Sequence, residues 1–228
     1  MAIFGTTVSP YLFFWQAAQE VEEEKAMGRR MLIEREGATR KELFDRGMDV
    51  GVGTFLSNVV MFFVILTTAL TLNAHGLVSI TSSKEAAEAL RPLAGDLAMT
   101  LYTVGIVAVG FLAIPTLAGS AAYAFAETLD WSYGLDEKLN QARAFYAVII
   151  VSVLCGVAFD FLGVNPIAAL FWTAVINGVL APFLLVGILL VARDQTIMLQ
   201  QASSPLNQAV VAMTTLLMFV AAGAMVLV

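Results

Sequence analysis

Apolar residues gather into six stretches: about Ala2–Gln19, Asp49–Ala74, Asp96–Phe125, Phe145–Leu162, Pro166–Ala192 and Pro205–Val228. Each after the first is near or above the ~20 residues that a helix needs to cross the hydrocarbon core of a bilayer. The pattern therefore predicts about six membrane-spanning helices and no strands. Between them lie short polar segments with clear start and stop signals. Ser82, followed three residues later by Glu85, forms a capping box that predicts a short surface helix ending near Pro92. The run Leu162-Gly163-Val164-Asn165-Pro166 predicts a tight turn with Pro opening the next helix, and Ser203-Ser204-Pro205 predicts another start.

The first stretch carries an interruption. Ser9-Pro10 falls inside Gly5-Thr6-Thr7-Val8-Ser9-Pro10-Tyr11-Leu12. Ser is a good N-cap and Pro fits the first position of a helix, so the pair predicts a helix starting inside the membrane after a half-helix that stops at about Thr6. Such breaks expose carbonyls and helix ends to an ion at the bilayer midplane. The competing reading is an ordinary span with a Pro kink. Only eight residues precede Ser9, which suggests a chain that begins inside a larger protein.

Composition agrees with the pattern: 59% of the residues are hydrophobic and 13% charged, far outside the range of soluble domains. A single cysteine, Cys155, and a single histidine, His75 at a span end, exclude an intrachain disulfide and any Cys/His metal cluster. No nucleophile elbow, phosphate loop or dinucleotide fingerprint is present, so an enzyme is not expected, nor a nucleic-acid partner. The net charge of -6 says less than where the charges sit. Lys25, Arg29, Arg30, Arg35, Arg40, Lys41 and Arg46 crowd the segment 25–46, and Lys138, Arg143 and Arg193 fall after the third and fifth stretches. The opposite connections hold only Lys84 and Arg91. The asymmetry places 25–46 in the cytoplasm as a basic connection and both ends of the chain outside, in the cell's inner membrane.

Polar residues within the stretches have two readings each. Ser57 and Asn58 either bond neighbouring helices or line an ion path. Asn177, beside Gly178 and before Pro182, suggests a flexed helix facing the pathway. Gln16 and Glu20, four apart, share a face and suggest a polar exit route or simple solvation. Ala118-Gly119-Ser120-Ala121-Ala122 reads as a packing surface, Glu22-Glu23-Glu24 as a solvated helix end, and Asp160 as an interfacial acid.

Several of these segments resemble the Nramp family of divalent metal transporters. They are Gly5 to Gln16, Ser57-Asn58-Val-Val-Met61, Ala113-Ile-Pro-Thr-Leu-Ala-Gly119 and Gly163-Val-Asn-Pro-Ile-Ala-Ala-Leu-Phe171-Trp172. The likeness runs through nearly all of the chain but only to the family's C-terminal half, with the first stretch in the place of its broken sixth helix. It implies an all-α integral membrane protein with part of an inverted-repeat fold, like that of sodium-coupled amino-acid transporters. The chain 1–228 would be a single transmembrane domain, completed by a missing N-terminal half that carries the first broken helix.

The resemblance also implies roles. The family's Ala-x-x-Met-Pro-His motif, in which the Ala carbonyl and Met sulfur hold the metal, falls on Thr6 (carbonyl), Ser9 and Tyr11. Asn58 falls at a polar position near the site, and Gln16 where a further His joins the proton route. The Asp-Pro-Gly-Asn motif that supplies charged ligands is absent. Oxygen in place of thioether suits harder ions such as magnesium, or a hydrated manganese. The expected function is secondary transport, by symport, of divalent cations of the manganese, iron and magnesium class in a divergent bacterial branch, the ion being cargo and no cofactor being required. The other expectation is a truncated, non-transporting membrane module or partner subunit.

Overall fold

The computed structural model describes residues 1–71, 80, 82–88 and 90–227; His75 lies outside them. Every regular element among the described residues is a helix. The first apolar stretch forms two helices, α1 (Ala2–Thr7) and α2 (Pro10–Ala26). Then come α3 (Arg40–Thr71), two short pieces α4 (Ser83–Glu88) and α5 (Arg91–Ala94), and the long α6 (Ala98–Thr128). The remainder is α7 (Arg143–Phe161), α8 (Pro166–Arg193), a single turn α9 (Gln195–Met198) and α10 (Pro205–Leu227).

Among the described residues five helices are long and apolar enough to span a membrane: α3, α6 with the 3-10 turn before it, α7, α8 and α10. The sixth expected span is the broken pair α1–α2. The 25–46 segment is shorter as a connection than its charge pattern suggests. Lys25 still belongs to α2, a 3-10 turn covers Leu32–Arg35, and α3 has begun by Arg40. Arg40, Lys41 and Arg46 thus ride on the spanning helix itself, whose first turns are polar. The surface helix expected to run to Pro92 is described over Ser83–Glu88, and Pro92 lies in a separate turn, Arg91–Ala94.

Local chemistry accounts for most starts. The Asn165 side chain accepts from the backbone N–H groups of Ile167 (2.9 Å) and Ala168 (3.2 Å), with Pro166 in the first position of α8. Ser204 accepts from the N–H of Asn207 at 3.3 Å, and Ser82 from that of Glu85 at 3.2 Å. Each satisfies one of the donors that a helix start leaves open.

The helices fall into two compact units. One contains α3, α4, α5 and residues 98–111 of α6. The other contains residues 1–37 and 112–228 and carries the broken helix. In this second unit α8 is the central element, packed on one side by α1 and on another by α10. Phe183 and Phe219 meet edge to face at 5.1 Å between α8 and α10, beside the buried Met218 and Thr215. A separate buried cluster of Ala18, Ala122, Tyr123, Ala126, Ala142 and Phe145 joins α2 to the end of α6 and the start of α7.

Candidate site at the helix break

Helical geometry stops at Thr7. Val8 (φ -111°, ψ 93°) and Ser9 (φ -96°, ψ 108°) are extended, and Pro10 begins α2. The chain is therefore broken rather than bent. Proline explains where. Pro10 stands four residues after Thr6 and has no N–H, so the Thr6 carbonyl loses the donor a continuous helix would supply. The last bond of α1 runs from the N–H of Val8 to the carbonyl of Phe4 at 2.8 Å.

Ser9 takes the N-cap position without making a side-chain cap, contrary to expectation. Its hydroxyl instead donates backwards, to the carbonyl of Gly5 at 3.4 Å. With the hydroxyl hydrogen turned toward α1, the lone pairs of Oγ stay available, and the side chain is buried. The hydroxyls of Thr6 and Thr7 both donate to the carbonyl of Ile3, at 2.9 and 2.8 Å. The break thus places a carbonyl end and a buried hydroxyl oxygen side by side in sequence. The carbonyl end of α1 carries partial negative charge, which favours a cation.

Gly5 and Gly178 set where α1 lies. A Cβ added at Gly5 would stand 1.8 Å from the carbonyl oxygen of Ala174 and 2.6 Å from the nitrogen of Gly178. One added at Gly178 would stand 2.8 Å from the carbonyl oxygen of Met1. The two helices therefore touch backbone to backbone, the close approach that small residues allow in membranes. Asn177, half-buried, sits in the same turn of α8. The structure so brings together Thr6, Ser9, Tyr11 and Gln16 on one broken helix, and Asn177 on the helix that carries its first half. Tyr11 is half-buried and Gln16 exposed. Asn58 belongs to the other compact unit, where its amide donates to the Thr54 carbonyl of its own helix at 2.8 Å.

The second half of the broken helix is held by side chains. Trp15 lies across Gly119, where an added Cβ would come within 2.4 Å of its ring, and meets Tyr123 edge to face at 6.1 Å. Ala118, Gly119, Ser120 and Ala122 are all buried, as a packing surface should be.

Further along, Glu22 corrects an expectation. It is not a solvated end residue but is buried, accepting from the hydroxyl of Tyr123 and, at 2.8 Å, from the N–H of Leu135. Its partners lie more than a hundred residues away, so spacing along the chain carried no sign of them. Lys25 stands over the ring of Tyr133 at 5.3 Å. Burial, with the Glu127 carboxylate adding to it, pushes the Tyr133 hydroxyl above the ordinary phenol range. Gln19 was also missed: its amide nitrogen is buried with no hydrogen-bond partner among the described residues.

Among the described residues, long apolar helices together with the broken pair α1–α2 define a multi-pass α-helical membrane protein. Residues 1–228, the whole chain, match the family described as natural resistance-associated macrophage protein-like, and the chain belongs to that family, Nramp. Its members are divalent metal transporters, not enzymes, and the class of function is transport of a divalent metal ion across a lipid bilayer. A comparison with curated proteins finds no match.

Proposed function

We propose that this chain moves divalent cations of the manganese, iron and magnesium class inward across the cell's inner membrane, as a secondary transporter, and that the break between α1 and α2 contributes to the ion site. In this reading Thr6 offers its carbonyl and Ser9 its hydroxyl oxygen, while Tyr11, Gln16, Asn58 and Asn177 line or gate the path. The observation that carries it is the interruption at Val8–Ser9, which leaves the Thr6 carbonyl without its helical donor, three residues before the buried Ser9. The charged ligands would come from the first broken helix of an N-terminal half outside this chain. The two compact units would then be parts of one transmembrane domain, one half of an inverted repeat. The basic segment 25–46 would face the cytoplasm.

An all-oxygen contribution from this helix suits hard cations and gives cadmium no sulfur partner. Restoring a thioether tests the assignment. In the full-length protein reconstituted into liposomes, Ser9→Met should raise cadmium or manganese uptake relative to magnesium by on the order of tenfold, about 1.4 kcal/mol of differential binding. A wild-type protein that already prefers cadmium strongly, with Ser9→Met changing nothing, would remove Ser9 from the site.

A further inference from the structure

We infer that Glu22 is a positioning residue that clamps the 129–142 connection onto the end of the restarted helix, so that α2, this connection and the start of α7 move as one body. The inference does not depend on which ion is carried or on Ser9 being a ligand.

The clamp is built from both backbone groups of one residue. The N–H of Leu135 donates to Glu22 on α2 at 2.8 Å, and the carbonyl of Leu135 accepts from the hydroxyl of Tyr146 on α7 at 3.1 Å. The same Tyr146 hydroxyl lies 2.9 Å from the carbonyl of Glu137. Glu22 reaches α6 as well, through the hydroxyl of Tyr123. A connection of this kind ordinarily exchanges its backbone bonds with water and moves freely. Here side chains from two helices, Glu22 of α2 and Tyr146 of α7, tie it down within three residues.

The surroundings are shaped for that carboxylate. Gly134 has φ 145°, which L side chains rarely adopt, and a Cβ there would stand 3.1 Å from a Glu22 carboxylate oxygen and 3.3 Å from Glu137 Cγ. Only glycine lets the backbone pass so close. Tyr123 is fully buried and packs edge to face on Tyr133 (5.9 Å) and Phe145 (4.9 Å), one ring from the connection and one from α7. Removing an acceptor from such a place leaves buried donors unmet, the costly outcome for a hydrogen-bond network. Tyr123 would lose its acceptor and Leu135 its hold on α2, while the hydroxyl of Tyr146 would keep its own. The connection should then loosen on the α2 side first.

The test uses the full-length protein in lipid nanodiscs and two readouts. In hydrogen exchange, Glu22→Ala should speed exchange in peptides covering residues 132–138 by on the order of tenfold, leaving α8 and α10 as protected as before. Tyr123→Phe and Tyr146→Phe, which keep the rings, should give smaller increases, and they decide the matter if Glu22→Ala fails to fold. In a Cys155→Ser background, which removes the protein's own exposed thiol, spin labels on cysteines at the exposed positions Ala26 and Leu139 should give one narrow distance with Glu22 in place and a broad one with Glu22→Ala. Unaltered exchange at 132–138 in Glu22→Ala and in both Tyr→Phe variants would overturn the inference. So would a distance distribution already broad with Glu22 in place.

Discussion

The two halves of the broken helix are held by opposite means. The first, α1, is six residues long and is set against α8 by the contact of two glycines, main chain on main chain. The second, α2, is seventeen residues long and is held by large side chains: Trp15 across Gly119, and Glu22 on Tyr123 and Leu135. A glycine contact has no side-chain hook, so α1 is held against α8 by the close fit of two backbones rather than by side-chain bonds. A network of rings and charge-assisted bonds has one good geometry and resists displacement. The break at Val8–Ser9 therefore separates a segment fixed by shape alone from one fixed by specific bonds.

The largest effect should come from filling the first contact. Gly5→Val would place atoms on the Ala174 carbonyl, which belongs to the backbone of α8 and cannot swing aside. About 3 kcal/mol or more of stability should be lost, read from thermal unfolding in detergent. Milder behaviour would mean that α1 is not seated on α8 as described.

A smaller loss is expected where the obstacle is a side chain. Gly119→Ala meets the edge of the Trp15 ring, which can shift, so about 1–2 kcal/mol should be lost. Adding Trp15→Phe should recover part of it, making the double variant less damaged than the sum of the singles. Strict additivity would separate Trp15 from Gly119 and weaken the contrast between the halves.

The smallest change belongs to a site outside both halves. Asn165→Ala removes the cap of α8 and should cost about 1 kcal/mol, without altering exchange at residues 132–138. An effect there would mean that the connection answers to general loosening rather than to Glu22.

Much of this was legible along the chain. Ser9-Pro10 marked the break, because a proline cannot supply the N–H that a continuous helix needs at that step. The caps at Ser82, Asn165 and Ser204 were readable since each acts within three residues of its own position. What Ser9 does was not readable: a hydroxyl at a helix start can cap forward or donate backward, and its burial and its bond to the Gly5 carbonyl appear only in the folded chain.

By itself the sequence determined that the chain is an all-helical membrane protein and where its first helix breaks, because hydrocarbon demands long apolar helices that satisfy their own backbones. Only the tertiary structure decided which faces meet protein. Lipid tails are as apolar as leucine, so hydrophobicity cannot distinguish a residue buried against a helix from one facing the bilayer. Gly5 found Gly178, and Glu22 found Tyr123 and Leu135, through close approach and unmet hydrogen bonds. Both depend on three-dimensional fit between segments more than a hundred residues apart, which no local pattern records.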